Sequence, residues 1–357
     1  MYTLAAAVLL LAAAATTPAA APAQGAPPAA AASGGASADV VLSRKGATWS
    51  LPATRVIPAG KTPGPCIAIF AGSGPTDRNW SSPLLPGGVG SAKLLAEALA
   101  TKGVGSVRFD KVGSGTNMKP LDVLSLAHYV DEAKLAFEDL AAQPGCTKVF
   151  LLGHSEGSIH MTSAAVALQS NPKFGGLISM SGPSRSLLDT AIEQIRNIHA
   201  RQGDDMKDVD AALAEFKKAM AKPDPNNPPE LTLVPEAAQL WEVATDPRQQ
   251  KVVQELMAAD PLVPAKAYKG RALVLTAAHD VQVPKSDADK LFATLASPAA
   301  DKKEVQIANA NHVYRQETRD PAKSMPQELI AAYTDAKIPL APGVADAIAA
   351  FVGAGAK

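Results

Sequence analysis

The feature that most constrains this chain is the stretch 149–158, Val-Phe-Leu-Leu-Gly-His-Ser-Glu-Gly-Ser. Four apolar residues read as a short buried strand, Gly153-His154-Ser155-Glu156-Gly157 fits Gly-x-Ser-x-Gly, and residues 158–167 can continue as a helix. A strand that turns this sharply into a helix brings its backbone close to the serine, which leaves room only for glycine on either side. The turn would hold the Ser155 hydroxyl at the end of a sheet, above a helix N-terminus whose free N–H groups favour developing negative charge. A plain strand-to-helix connection is the alternative, so partners in the right chain order decide the matter.

The surrounding pattern supplies the sheet. Residues 66–70 (Cys-Ile-Ala-Ile-Phe), 105–110 and 176–181 read as strands, and 91–101 and a stretch within 122–143 read as helices. Strands alternating with helices at this spacing predict a mostly parallel sheet flanked by helices, an α/β fold. Before it, residues 39–58 read as two or three short strands of an antiparallel edge, broken by Gly46 and Pro52. The rhythm stops after Pro183: residues 184–268 show helical spacing (Leu188, Ile192, Ile195, Ile198) and no strand. It resumes with a strand at 271–276, a helix at 287–296, a strand at 303–307 and a closing helix at 344–351. The predicted layout is therefore a core of residues 39–183 and 269–357, with a helical cap inserted at 184–268.

Residues 1–38 are expected to lie outside that core. An apolar run at 4–15, too short to span a bilayer, precedes Ala21-Pro22-Ala23, a small-x-small pattern that places signal-peptide cleavage after residue 23. Residues 24–38 then form an Ala/Pro/Gly-rich disordered leader. No Lys or Arg stands near Met1, so a disordered leader throughout is the alternative; export to the periplasm or medium is the expectation. With a formal net charge of zero over 357 residues, nothing invites nucleic acid, and no membrane-spanning segment follows the leader. Two cysteines, Cys66 and Cys146, permit either a disulfide or two buried thiols.

A serine hydroxyl needs a base to take its proton and a carboxylate to hold that base in one tautomer. Behind a nucleophile elbow the chain order is Ser, then Asp or Glu, then His. Asp280 follows the strand after the insertion, with Asp287 or Asp289 as alternative acids. Of the six histidines (128, 154, 160, 199, 279 and 312), only His312 lies beyond Asp280. The developing oxyanion needs two N–H donors. One is expected from Glu156, the residue after the nucleophile, and the other from the loop Gly72-Ser73-Gly74, with Ser73 favoured. Asp77 and Arg78 are read as a loop-bracing ion pair, His160 as structural and His279 as support for the Asp280 loop. The chemistry calls for no cofactor or metal.

Taken together, Ala71-Gly72-Ser73-Gly74-Pro75-Thr76-Asp77-Arg78, Arg108-Phe109-Asp110-Lys111-Val112-Gly113-Ser114-Gly115, Gly153-His154-Ser155-Glu156-Gly157, Asp280-Val281-Gln282-Val283-Pro284 and Asn311-His312 resemble a bacterial α/β-hydrolase family of esterase-like serine hydrolases. The resemblance spans about residues 45–320. It implies Ser155, Asp280 and His312 as the triad and the Ser73 region as the oxyanion loop. One departure is visible: Lys111-Val112 stands where the usual Asp-x-Arg-Gly turn would carry x-Arg, which touches the packing of that loop. The resemblance also implies that the strand of Ile67 lies parallel to that of Val149, which would place Cys66 and Cys146 together, as a disulfide, at the end opposite the triad. The expectation is a hydrolase of small-molecule carboxylic esters, with a serine peptidase, a thioesterase or a non-catalytic binding protein as alternatives.

Overall fold

The computed structural model describes residues 35–58, 63–85, 87–118, 124–247, 249–324 and 326–353. The expected signal peptide and most of the expected leader, up to residue 34, lie outside the described residues. Eight strands form one sheet: β1 (Gly35–Ser43), β2 (Ser50–Pro58), β3 (Gly64–Phe70), β4 (Gly105–Phe109), β5 (Cys146–His154), β6 (Phe174–Met180), β7 (Ala272–His279) and β8 (Lys302–Asn311), in the order β1-β2-β4-β3-β5-β6-β7-β8. The pairs β1–β2 and β2–β4 are antiparallel; every other pair is parallel.

Two details of the amino-terminal edge differ from expectation. Gly35 already pairs with Pro58, so the sheet claims residues 35–38 from the expected leader. The strand expected to break at Pro52 runs through it, because the Pro52 carbonyl still accepts the Asp110 N–H at 2.8 Å and proline lacks only the donor.

Alternation along the central strands divides the core in two. Cys66, Ala68, Phe70, Val149 and Leu151 face one layer, and Ile67, Ile69, Phe150 and Leu152 the other. The second layer is closed by α1 (Ser91–Ala100) and by α11 (Val344–Gly353) at the carboxyl end. The first is closed by α2 (Leu126–Ala141) and α3 (Gly157–Leu168).

Among the described residues five helices fill the insertion between β6 and β7: α4 (Leu187–Gln202), α5 (Met206–Met220), α6 (Pro235–Thr245), α7 (Gln250–Ala258) and α8 (Leu262–Ala267). Their apolar faces, including Leu187, Ile195, Phe216, Leu240 and Trp241, join the same buried cluster as Phe70 and Leu151. The insertion therefore shares the core of the sheet. Glu255 of α7 also accepts the first N–H of α2, at Leu126, at 2.8 Å. The remaining helices are α9 (Lys285–Thr294) after β7 and α10 (Pro326–Ala331) after β8.

Cys66 and Cys146 are joined by a disulfide with their Cα atoms 5.5 Å apart. The register of β3 on β5 puts Cys66 opposite Val149, toward the amino ends of the strands and away from the turn at Ser155.

Candidate active site

β5 ends at His154, and the chain turns straight into α3. Ser155 sits at the turn with φ of 53°, a left-handed conformation that costs a non-glycine residue free energy. Its N–H donates to the Met180 carbonyl at 2.8 Å, which ties the strained residue to β6. The flanking glycines are required sterically. A Cβ on Gly157 would lie 2.5 Å from the Ala71 carbonyl oxygen, and one on Gly153 would collide with the Gly157 carbonyl.

Asp280 follows β7 and His312 follows β8. Parallel strands deliver both loops to the carboxyl edge of the sheet, where Ser155 stands. His312 Nδ1 lies 2.8 Å from Asp280 Oδ2 and 3.0 Å from Oδ1, and both side chains are buried. Oδ1 also accepts the N–H groups of Gln282 at 2.8 Å and Val283 at 2.9 Å. Burial by itself would raise the Asp280 pKa; the imidazole and these N–H donors outweigh it and hold the carboxyl below its ordinary value. A carboxylate here requires a proton on His312 Nδ1, which leaves Nε2 unprotonated in the neutral ring. Ser155 and His312 both line one cavity of about 40 Å³.

The alternative acids do not reach His312. Asp287 accepts the Ser184 hydroxyl at 2.6 Å and pairs with Arg185 at 2.5 Å, fastening the start of the insertion to α9. Asp289 bonds to Lys285 on the surface. His279 is also redirected: its Nδ1 donates to the Arg319 carbonyl at 2.6 Å, so it braces a later loop and not that of Asp280.

Gly72 and Ser73 line the cavity across from the elbow. A Cβ on Gly72 would stand 3.2 Å from Ser155 Cβ and 3.3 Å from His154 Nδ1, so this loop rides directly on the turn. The backbone N–H groups of Ser73 and Glu156, the two expected oxyanion donors, make no hydrogen bond among the described residues. The Glu156 side chain points away from that edge into a buried cluster, 3.0 Å from His160 Nε2 and 3.8 Å from Lys111 Nζ. Burial opposes its ionisation, but Lys111, His160 and the Ser73 hydroxyl prevail and lower its pKa to about 2.

Arg78 braces the loop with a partner other than the expected one. It pairs with Asp110 at 2.8 Å, while Asp77 accepts the N–H groups of Asn79 and Ser81, both at 2.8 Å. The Asp77 turn holds Trp80 at φ of 64° and lays its indole on the His154 ring, with centroids 4.2 Å apart and planes at 20°. Trp80 and Tyr314 were not legible as site residues. Tyr314 donates its hydroxyl to the Leu275 carbonyl at 2.9 Å, anchoring the His312 loop on β7. Neither carries a local pattern that sets it apart from a core aromatic.

The remaining cavity wall is largely apolar: Leu85, Val89, Pro183, Leu187, Val283 and Val313 contribute to it, with Thr190 and Gln194 entering from α4. Among the described residues no group of three or more His, Cys, Asp or Glu side chains is placed to hold a metal ion, and no helix is long and apolar enough to cross a membrane.

This sheet order, elbow and crossing helices are those of the α/β-hydrolase fold. A family model described as serine aminopeptidase, S33 (Hydrolase_4) matches residues 88–223, a segment that holds Ser155 but neither Asp280 nor His312. Esterase EstD of Thermotoga maritima is 26% identical over 153 residues, 42% of this chain; the match spans 34% of that protein, about a third of its length. Among solved structures, DcsB in complex with its substrate analogue superposes with a TM-score of 0.52 at 13% identity, covering 90% of this chain and 99% of that one. The 2,6-dihydroxy-pseudo-oxynicotine hydrolase gives 0.51 at 16% identity, covering 89% and 69% respectively. These likenesses fix the fold.

Proposed function

We propose that this protein is a serine hydrolase of small-molecule carboxylic esters, acting through an acyl-enzyme. The observation that carries the reading is the His312–Asp280 pair, sharing one cavity with a Ser155 held in a strained turn. Ser155 Oγ attacks the ester carbonyl while His312 Nε2 takes its proton. Asp280 holds the imidazole in the required tautomer and stabilises the imidazolium. The Ser73 and Glu156 N–H groups receive the oxyanion. His312 then protonates the leaving alcohol, and a water, activated by the same imidazole, cleaves the acyl-enzyme.

The matched family and the matched relative carry different activities in their names, aminopeptidase and esterase. The cavity favours the second. An aminopeptidase must pair the substrate's α-ammonium, and none of the described residues lining the cavity is a carboxylate. A cavity of about 40 Å³, against the ~10–15 Å³ that one water needs, admits a short acyl group.

The test is release of p-nitrophenol from acetyl, butyryl and octanoyl esters by wild type and Ser155→Ala, with a fluorophosphonate probe alongside. Hydrolysis lost in the variant supports the reading. Labelling of Ser155 without turnover of any of the three esters would redirect the search to peptides or thioesters, and absence of both would leave a binding protein. We further propose export to an oxidising compartment, for which the Cys66–Cys146 disulfide is the support. An intact leader on protein purified from its native host would refute it.

A further inference from the structure

Lys111 is 2% exposed, and the scheme above gives it no task. An unpartnered buried ammonium costs several kcal/mol, so its partners matter. Its Nζ donates to the Gly72 carbonyl at 2.6 Å, lies 3.8 Å from Glu156 Oε1 and sits 5.3 Å from the centre of the Tyr129 ring. Glu132 adds a second carboxylate nearby, itself engaged by the Val112 N–H at 2.9 Å and by His128 Nε2 at 3.2 Å.

The Gly72 carbonyl and the Ser73 N–H belong to one peptide unit. That unit is planar and trans, so the two groups point in opposite directions. A cation that fixes the carbonyl on one side therefore fixes the N–H on the other. The neighbouring groups are held as well: Thr76 Oγ1 donates to the Ser73 carbonyl at 2.7 Å, and the Ser73 hydroxyl lies close enough to the Glu156 carboxylate to help keep it ionised. Glu156 supplies the other free N–H from its own backbone. One buried ion pair thus grips both halves of the expected oxyanion site from behind.

We propose that Lys111 is a positioning residue: its ammonium, clamped on the Gly72 carbonyl and balanced by Glu156, aims and polarises the Ser73 N–H toward the oxygen that gains charge in the transition state. The proposal rests on the serine-hydrolase reading. A neutral side chain could fill the same space, but only a donor aligns the peptide, and a charged one strengthens the N–H opposite it through polarisation. The contact enters on the acyl-transfer step and not on substrate docking, because the charge it serves exists only in the transition state.

The experiment compares wild type, Lys111→Met, Glu156→Gln and the double variant, reading kcat, KM, inhibition by phenylboronic acid and melting temperature. Removing an oxyanion donor outright costs ~10²–10³-fold in kcat. A misaimed donor should cost at least about tenfold, with KM changed less than about twofold. Phenylboronic acid, whose serine adduct places a tetrahedral oxygen in the same site, should weaken by the factor lost in kcat. Folded Lys111→Met with kcat within about twofold of wild type overturns the proposal. If that variant does not fold, the double variant, which leaves neither Lys111 nor Glu156 as a lone charge, decides. A kcat lower than that of Glu156→Gln alone upholds the role, and an equal one overturns it. Wild-type protein that neither turns over esters nor is labelled at Ser155 would instead sink the parent reading, a result distinct from any difference among variants.

Discussion

His154 Nε2 lies 2.8 Å from the carbonyl oxygen of His312, so the residue preceding the candidate nucleophile holds the backbone of the candidate base. A carbonyl only accepts, which places the proton on Nε2 and leaves Nδ1 facing Gly72. The ring is kept in place by the Trp80 indole. His154→Leu removes the bond between the two loops. Leaving the buried carbonyl unpaired costs about 1–3 kcal/mol, and a loosened His312 should lower kcat at least about tenfold. Unchanged melting temperature and kcat would show that Tyr314 alone secures the His312 loop.

Stability should fall in acid. Burial, reinforced by nearby His312, depresses the His154 pKa to about 3, so the unfolded chain binds a proton there that the folded one refuses. That contribution is complete above the ordinary histidine value of ~6.5 and is lost progressively as pH drops toward 3. Glu156, held near 2, adds a loss of the same sign below the ordinary carboxyl range. Together they predict an unfolding free energy from urea titration that rises between pH 4 and 7, with about 3 kcal/mol of it attributable to His154. The His154→Leu variant should flatten that slope, and an equally steep one would place the acid sensitivity elsewhere.

Asp280→Asn keeps the shape of the buried loop but favours the wrong imidazole tautomer. By analogy with other triads, kcat should fall by about 10⁴-fold with KM little altered. Steady-state kinetics and slowed fluorophosphonate labelling of Ser155 report it; a loss below tenfold would mean that another group orients His312. Asp287→Asn is the contrast, since its carboxylate fastens Ser184 and Arg185 and should chiefly lower the melting temperature.

Cys66 and Cys146 close a loop with a sequence separation of 80. On the chain-entropy model this cross-link stabilises by about 4–5 kcal/mol. The double serine variant should melt at a lower temperature yet keep its ester kinetics at 25 °C, because the bond lies at the opposite end of the strands from Ser155. Two free thiols in the mass of non-reduced wild-type protein would remove the basis of this expectation.

Gln194 of α4 lines both the cavity at Ser155 and a smaller one of about 20 Å³, as does Gln282, whose carbonyl accepts the Gln194 Nε2 hydrogen at 3.1 Å. Gln194→Ala joins the two spaces. The ratio of butyryl to acetyl ester hydrolysis should rise severalfold, while wild type prefers acetyl over octanoyl; a ratio that does not move would assign chain-length selection to the sheet side of the cavity.

The sequence by itself determined the elbow, the chain order Ser155, Asp280, His312 and the helical character of residues 184–268. Each is written in spacing that neighbours enforce: Gly153 and Gly157 by the close approach of backbone, the helices by their apolar period, and the order by strands that must all end at one edge of a parallel sheet. What only the tertiary structure decided was the choice of partner among residues far apart in the chain. Arg78 takes Asp110 and not its neighbour Asp77, His279 serves the Arg319 loop, Trp80 lies on His154, and Lys111, in the turn that departs from the usual pattern, becomes the buried cation behind Gly72. The sequence fails there for a physical reason. A charge or a ring declares what kind of contact it needs, but which group meets it depends on how the strand register and the packing of loops bring distant segments within a few ångströms.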